Sequence, residues 1–138
     1  MLTHVEFRSN AFPAYQSEEE EINPGRFGKR LAEFLVEGLK ERGEHVADLI
    51  DDDWGWIIPV ANAQFRLWIG VGNYGEYPDG FLCFIEPQKE YVRKFFKKIP
   101  TADRVARLRE NIDSVLRSSS KIREIKWWSH DEFNSPAE

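Results

Sequence analysis

The fold is decided between residues 54 and 71, where the chain reads WGWIIPVANAQFRLWIGV. Apolar side chains alternate with other residues on both sides of a turn through residues 62–64. Because successive side chains of a strand point to opposite faces, this period of two predicts two antiparallel strands joined by a short connection. A further run, apolar at every position over residues 81–85, predicts a central strand of the same sheet.

Two amphipathic helices are predicted, one before and one after these strands. The first begins at residues 23–25, Asn-Pro-Gly, where an N-cap residue precedes a proline at the first helical position, and it ends at Gly43. Its apolar side chains recur every three or four residues, which predicts one buried face. The second helix follows Thr101 as its cap and carries a similar apolar stripe over residues 105–116.

Shorter segments complete the predicted architecture. Residues 2–8, 46–50 and 122–128 predict three further strands. Residues 89–98 have aromatic side chains at helical spacing, so we expect a short helix there. The element order β-α-β-β-β-α-β predicts an α+β two-layer sandwich, with a mostly antiparallel sheet and both main helices on one face. The other face of the sheet would then be open.

Composition and charge narrow the class of protein. The 138 residues carry a formal net charge of −5, which disfavours nucleic acid as a partner because phosphate affinity comes from excess Lys and Arg. No basic segment followed by an apolar stretch opens the chain, and no run of about 18 apolar residues occurs. We therefore expect a cytoplasmic protein without a membrane partner. We expect one domain over residues 1–138, with residues 129–138 as a frayed tail.

Nucleophilic and metal-binding residue types are few. The single cysteine, Cys83, lies among apolar neighbours, which predicts a small buried hydrophobe rather than a nucleophile and fits a reducing compartment. His4, His45 and His130 have no zinc-ligand spacing, and we expect them on the surface or in loops. We expect no metal and no cofactor.

Trp68 is the best functional lead. It is out of phase with the apolar residues at 65, 67, 69 and 71, so it faces the open side if that row faces the helices. A tryptophan on an open face suits partner binding, because its rigid ring buries a large area at little entropic cost. The alternative is that a loop or a chain terminus covers it. The other candidate binding residues are Trp54, Trp56, Asp51, Asp52, Asp53, Tyr74 and Tyr77.

Three local patterns have both a structural and a functional interpretation. The three aspartates at 51–53 favour a solvated turn over a metal or general-acid site completed by Glu86. Residues 70–75 match G-x-G-x-x-G, but a strand is predicted after them, so a hairpin connection is favoured over dinucleotide binding. Residues 89–98 interleave cations with aromatics, which favours a solvated basic face able to meet an acidic protein over nucleic-acid binding.

Two short motifs carry a resemblance. With Asn-Pro-Gly at 23–25, Gly28, and Asp-Trp-Gly-Trp at 53–56, the chain resembles small bacterial proteins of unknown function that have an N-P-G helix start and a D-W-G-W strand. The similarity covers residues 20–72. It implies a small stand-alone bacterial protein and transfers no catalytic or binding residue.

These patterns lead us to expect a non-enzymatic protein-binding module of the adaptor or immunity type. Its open sheet face around Trp68 would meet another protein or, in a symmetric homodimer, a second copy of the chain. The alternative is a small-ligand-binding protein or an enzyme with a pocket beside residues 73–80, where Tyr74, Glu76 and Tyr77 would supply polar contacts. A flat aromatic patch favours the first interpretation, and a deep pocket with two converging carboxylates favours the second.

Overall fold

The structure, a computed structural model, describes residues 1–15, 28–73 and 77–134. Over these residues the elements in chain order are β1 (Leu2–Ser9), α1 (Lys29–Glu41), β2 (Ile50–Asp52), β3 (Gly55–Val60), β4 (Leu67–Asn73), β5 (Gly80–Glu86), β6 (Tyr91–Lys94), β7 (Lys97–Pro100), α2 (Ala102–Arg117), β8 (Ile122–Ser129) and α3 (His130–Asn134).

One antiparallel sheet contains six of the strands in the order β2-β3-β4-β5-β1-β8, while β6 and β7 form a separate hairpin. Helices α1 and α2 contact each other and the same side of the sheet, α1 through β3 and β4 and α2 through β1 and β8. The predicted α+β architecture, with both main helices on one face of a mostly antiparallel sheet, is therefore confirmed.

The core lies between the sheet and the two helices. Val71, Cys83 and Val5 are paired across three adjacent strands and are each at most 1% exposed. The helix side chains that pack against this layer are Leu31, Leu35 and Leu39 of α1 and Leu108, Ile112 and Leu116 of α2. Cys83 is thus a buried hydrophobe, as predicted, and its burial raises the pKa of the thiol above the ordinary value.

The C-terminal end of α1 and the N-terminal end of α2 have different capping interactions. The predicted start of α1 at residues 23–25 lies outside the described residues. At its other end Gly43 has a φ of 86° and Glu44 N donates to Leu39 O at 3.0 Å, which matches the predicted glycine stop. At the start of α2, Thr101 occupies the N-cap position but makes no side-chain cap bond, because its hydroxyl donates to the carbonyl of Lys89.

Residues 91–100 form the β6–β7 hairpin, so the short helix predicted over residues 89–98 is wrong. Val92 pairs with Ile99, and these two residues are half-buried while every residue from Arg93 to Lys98 is exposed. The antiparallel pairing of residues 91–94 with residues 97–100 defines the two strands, with Phe95 in the turn at a φ of 58°. The helical spacing of the aromatics was therefore coincidental, since the two exposed phenylalanines lie in the turn and not on a buried face.

Two smaller predictions also need correction. The predicted strand over residues 46–50 is reduced to a single bridge between Val46 and Val60, and the strand that does form, β2, extends to Asp52. Residues 130–134, predicted to fray, form the short helix α3 directly after β8, while residues 135–138 lie outside the described part of the chain.

Candidate binding face

An aromatic cluster occupies the sheet face opposite the main helices. Its centre is Phe84 on β5, whose ring centroid lies 5.2 Å from Trp54 and 5.6 Å from Trp68. On the other side of Phe84, His4 of β1 stacks at 5.7 Å, and His130 of α3 stacks on His4 at 6.0 Å. We call these five residues the aromatic cluster. The rings of Trp54, Trp68 and Phe84 are half-buried, so each keeps a surface open to solvent.

Gly70 allows Phe84 to lie against the sheet. The two residues are directly opposite each other in the β4–β5 pairing, and a Cβ at position 70 would lie 2.3 Å from Cζ of the ring. Two carbon atoms do not approach so closely, so the phenyl ring fills the space that a side chain would occupy. At Gly72 the neighbour is the backbone of Trp54, whose carbonyl oxygen would lie 3.0 Å from a Cβ there. Of the glycines in the G-x-G-x-x-G match, Gly70 therefore lies beneath a ring of the aromatic cluster, and Gly72 lines the neighbouring groove.

Two adjoining shallow grooves border the aromatic cluster. The first has a volume of about 290 Å³, and the second about 230 Å³. Leu82 of the first groove and Glu6 of the second are paired between β5 and β1. The first is lined by Trp54, Gly72, Asn73, Leu82 and Phe84, and the second by Glu6, Phe7, Arg8, Tyr77, Gly80 and Glu124.

The second groove is held at one end by Asp79 between two arginines. Arg8 donates from both Nε and Nη2 to one carboxylate oxygen at 3.0 and 2.8 Å, and Arg123 donates to the other at 2.5 Å. The hydrogen bonds from Arg8, followed by those from Arg123, hold the pKa of Asp79 below its ordinary value. The Arg8 guanidinium also lies 4.5 Å from the ring centroid of Tyr77. Its position is therefore held by both Asp79 and Tyr77.

His4 is buried, which corrects the expectation of a surface or loop position. It is 5% exposed, and its Nδ1 lies 3.1 Å from the hydroxyl of Thr3. Burial, and secondarily the nearby His130, lowers the pKa of His4 to about 4. The imidazole is therefore neutral near pH 7 and packs as a flat ring between Phe84 and His130.

Glu86 lies on the same face, opposite Trp68 in the β4–β5 pairing. Partial burial raises the pKa of this carboxyl, although His130 acts in the opposite direction. Gln88 Nε2 donates to Glu86 Oε1 at 2.7 Å. Over residues 1–15, 28–73 and 77–134, no group of three or more His, Cys, Asp or Glu side chains is arranged to hold a metal ion.

The tryptophans predicted as site residues divide between the two faces. Trp68 and Trp54 both lie in the aromatic cluster, with their ring centroids 6.3 Å apart. Trp56 pairs with buried Val71 and packs against the core, so it lies on the helix side, where Lys29 Nζ is 5.2 Å from its ring centroid. Trp54 belongs to the turn before β3, which begins at Gly55, so it does not follow the alternation of the strand.

The remaining predicted residues lie around the edge of this face or outside the described residues. Asp51 and Asp52 belong to β2 and Asp53 to the following turn, and all three are exposed. Asp52 Oδ1 accepts a hydrogen bond from Asp53 N at 2.7 Å, as in a solvated turn. Tyr77 lines the second groove at 46% exposure. Tyr74 lies outside the described residues.

Three members of the aromatic cluster were not singled out by the sequence: Phe84, His4 and His130. Phe84 lies in a run that is apolar at every position. The sequence therefore does not show which face of the sheet carries its side chain. Its proximity to His4 depends on the pairing of β1 with β5, two strands that are far apart in the chain. The one usable signal was Gly70, since a glycine inside a strand often marks the close approach of another group.

No family model, no curated protein and no solved structure matches the chain. None of the helices in the described ranges is both long enough and apolar enough to cross a membrane.

Proposed function

We propose that the chain is a non-enzymatic protein-binding module, of the adaptor or immunity type, and that its partner docks on the open sheet face at the aromatic cluster. The observation that carries this proposal is the contact of Trp54, Trp68 and Phe84 as one half-buried patch beside two shallow grooves. Large rigid rings next to a groove are typical anchors of protein interfaces, because they bury much area with few torsions to fix.

The size of the grooves favours a partner side chain over a whole small molecule. Pockets for drug-sized ligands and cofactors have volumes of about 300–1,000 Å³ and enclose most of the ligand. The two grooves, of about 290 and 230 Å³, lie at or just below the lower end of this range and are open to solvent. A protein that inserts one apolar side chain beside Trp54 would fill the first groove and cover the rings around it.

The open face carries charges of both signs. Glu6 and Glu86 lie on it, but Lys126 pairs with Glu6 between β8 and β1, and the Arg66 guanidinium lies 5.8 Å from the ring centroid of Trp68. The aromatic rings, rather than one sign of charge, therefore distinguish this surface as a docking site.

Contact through the face is also favoured over strand addition at the edges. The edge strand β2 carries exposed Asp51 and Asp52, and the opposite edge strand β8 carries exposed Arg123, Glu124 and Lys126. Charged residues on edge strands oppose pairing with another chain.

The proposal is tested by photo-crosslinking in the native host. A benzoyl-phenylalanine placed at Leu82, between the two grooves, should form a covalent adduct with a specific protein, and Trp54→Ala or Trp68→Ala in the same chain should abolish it. The matched control is the same photoreactive residue at Glu37, an exposed position on α1, which lies on the opposite side of the sheet. No adduct at position 82, or an adduct that persists in both tryptophan variants while circular dichroism shows a native fold, would overturn the proposal.

A second copy of the chain is the simplest partner of this kind. A self-complementary face would give a twofold symmetric dimer. Light scattering over a range of concentrations tests this version, since Trp54→Ala should shift the equilibrium to monomer. A wild-type chain that remains monomeric at high concentration removes self-association but leaves a different protein partner possible.

A further inference from the structure

The β6–β7 hairpin exposes apolar side chains and paired like charges to solvent. Its turn residues Phe95 and Phe96 are 92% and 100% exposed. Directly behind the turn, Lys94 pairs with Lys97, and behind these Arg93 pairs with Lys98. Exposed apolar rings and like charges directly opposite each other are both unfavourable in water.

Among the described residues, no carboxylate lies within ion-pair distance of the four basic side chains between positions 93 and 98. Five of the 19 cationic residues of the chain lie between residues 89 and 98, together with one of its 24 acidic residues. The hairpin is thus a basic projection from an otherwise strongly acidic protein.

A cationic cleft lies beside the hairpin. It has a volume of about 500 Å³ and is open between residues 62–66 and β6. Arg66, Arg93 and Lys94 line it, and no carboxylate is among its lining residues. The base of the hairpin is closed by Thr101 N, which donates to Glu90 O at 2.9 Å.

We propose that the hairpin docks the protein on an anionic lipid surface, with Phe95 and Phe96 inserted among the lipid chains and the basic residues behind them at the headgroups. The cleft lined by Arg66, Arg93 and Lys94 would receive a lipid phosphate. This contact is peripheral. The sequence argument against a membrane partner concerns spanning segments, and docking at the surface needs none.

The order of residues along the hairpin matches the depth profile of a bilayer. The two cation pairs lie one and two residues behind the phenylalanines, which is roughly 3–7 Å along a strand. Interfacial segments bury their apolar groups about 5–10 Å into the boundary between headgroups and acyl chains, so the cations would reach the phosphates. Farther back, Tyr91 is 47% exposed with Lys98 Nζ 4.5 Å from its ring centroid, a position suited to the headgroup layer.

Nucleic acid fits this geometry less well. Bases stack on aromatic rings that lie along a groove or sheet face. Here the two phenylalanines are in a turn, and Lys98 already covers the ring of Tyr91. An apolar tip with cations behind it is suited to insertion into lipid rather than to stacking on nucleic-acid bases.

Vesicle flotation tests the proposal with the full chain. We expect binding to phosphatidylcholine vesicles in which about one-third of the lipid is phosphatidylserine, weaker binding as salt is added, and no binding to phosphatidylcholine alone. Phe95→Ser with Phe96→Ser, and separately Arg93→Gln with Lys98→Gln, should each reduce partitioning by roughly tenfold or more. The matched controls are Ile50→Ser, at another exposed apolar residue, and Lys40→Gln with Lys121→Gln, and these should bind like wild type.

Insertion is measured separately with a fluorescent label. Because Cys83 is buried, an environment-sensitive thiol dye on a Phe96→Cys variant reports on position 96 alone. Its emission should shift to the blue with anionic vesicles. Absence of binding, binding unaffected by the phenylalanine pair, or a dye that stays in water would each overturn the proposal. Tight hairpin-dependent binding to single-stranded oligonucleotides without vesicle binding would assign the hairpin to nucleic acid instead.

This proposal is independent of the one for the aromatic cluster. Trp54→Ala should leave vesicle binding unchanged, and the phenylalanine pair should leave crosslinking from position 82 unchanged. Failure of either proposal is therefore distinguishable from failure of the other.

Discussion

The ring of Phe84 occupies the space above Gly70, so closely that a Cβ at position 70 would lie 2.3 Å from the ring. The aromatic cluster therefore depends on the absence of one methyl group in the neighbouring strand. Phe84 also contacts Trp54, Trp68 and His4, so its position fixes those of the other rings.

Gly70→Ala is expected to displace Phe84 and to reduce the free energy of unfolding by about 1–3 kcal/mol, as overpacking usually does. Urea denaturation measures the loss, and the tryptophan emission of the native protein should change with it. The matched double variant Gly70→Ala with Phe84→Leu should recover part of this stability, because leucine lacks the ring atoms that meet the new methyl group. A double variant whose losses are simply additive would show that the contact is not the cause.

Protonation of His4 should make the free energy of unfolding depend on pH. The pKa of this residue falls from an unfolded value of about 6.5 to about 4 in the folded chain. The unfolded chain thus binds more protons between these pH values, so the stabilising contribution is fully present above pH 6.5 and is lost as the pH falls towards 4. The loss is of the order of 3 kcal/mol.

Urea denaturation at several pH values between 4 and 7 measures this slope. His4→Gln should flatten it, while His45→Gln, at an exposed histidine, should not. An unchanged slope in His4→Gln would mean that another group causes the acid sensitivity.

Glu44 and Arg104 form an ion pair that joins the end of α1 to α2. Their side chains are 6% and 13% exposed, and the closest N–O distance is 2.6 Å. Desolvation acts to raise the pKa of Glu44, but hydrogen bonds from Arg104 and Asn111, with the charge of Arg104, outweigh it and lower the pKa. This contribution to stability is therefore present above the ordinary glutamate pKa and is lost as the pH falls through the lowered one.

Glu44→Gln should reduce the free energy of unfolding by about 3 kcal/mol, because it leaves the Arg104 charge buried without a partner. Thermal or urea denaturation near pH 7 provides the measurement. Arg117→Gln is the control: it removes an exposed pair with Asp113 within α2, which is worth at most about 0.5 kcal/mol. Equal losses in the two variants would contradict a special contribution from the buried pair.

The Cys83 thiol should be unreactive in the native protein. It is 1% exposed and its pKa is raised by burial, so the reactive thiolate is both scarce and inaccessible. Reaction with a chromogenic disulfide reagent should be complete within minutes in denaturant and should follow the rate of unfolding without it. Rapid native labelling would show that β5 opens locally.

The sequence predicted the parts of this structure that depend on local periodicity. The phase of Trp68 against its neighbours placed it on the open face, and the apolar run around Cys83 indicated a buried central strand. Both conclusions need only the twofold repeat of a strand and the presence of helices on one side.

The parts that were missed depend on register or on unusual turns. No local pattern connects His4 to Phe84, because strand pairing decides which residues of β1 and β5 are neighbours. The hairpin at residues 91–100 was hidden because its turn contains two phenylalanines in place of the usual asparagine or glycine, so the turn gave no recognisable signal. The resemblance to small bacterial proteins and the expected cytoplasmic location stay predictions.

The position of β1 in the sheet has a consequence for biosynthesis. Among the described strands, β1 pairs with β5 and β8, which begin at Gly80 and Ile122 and are therefore synthesised well after residues 2–9. At translation rates of about 5–20 residues per second, β1 must wait for several seconds with both edges unpaired. Ribosome-bound chains arrested before residue 80 should therefore remain sensitive to protease within β1, whereas chains released after β8 should be protected.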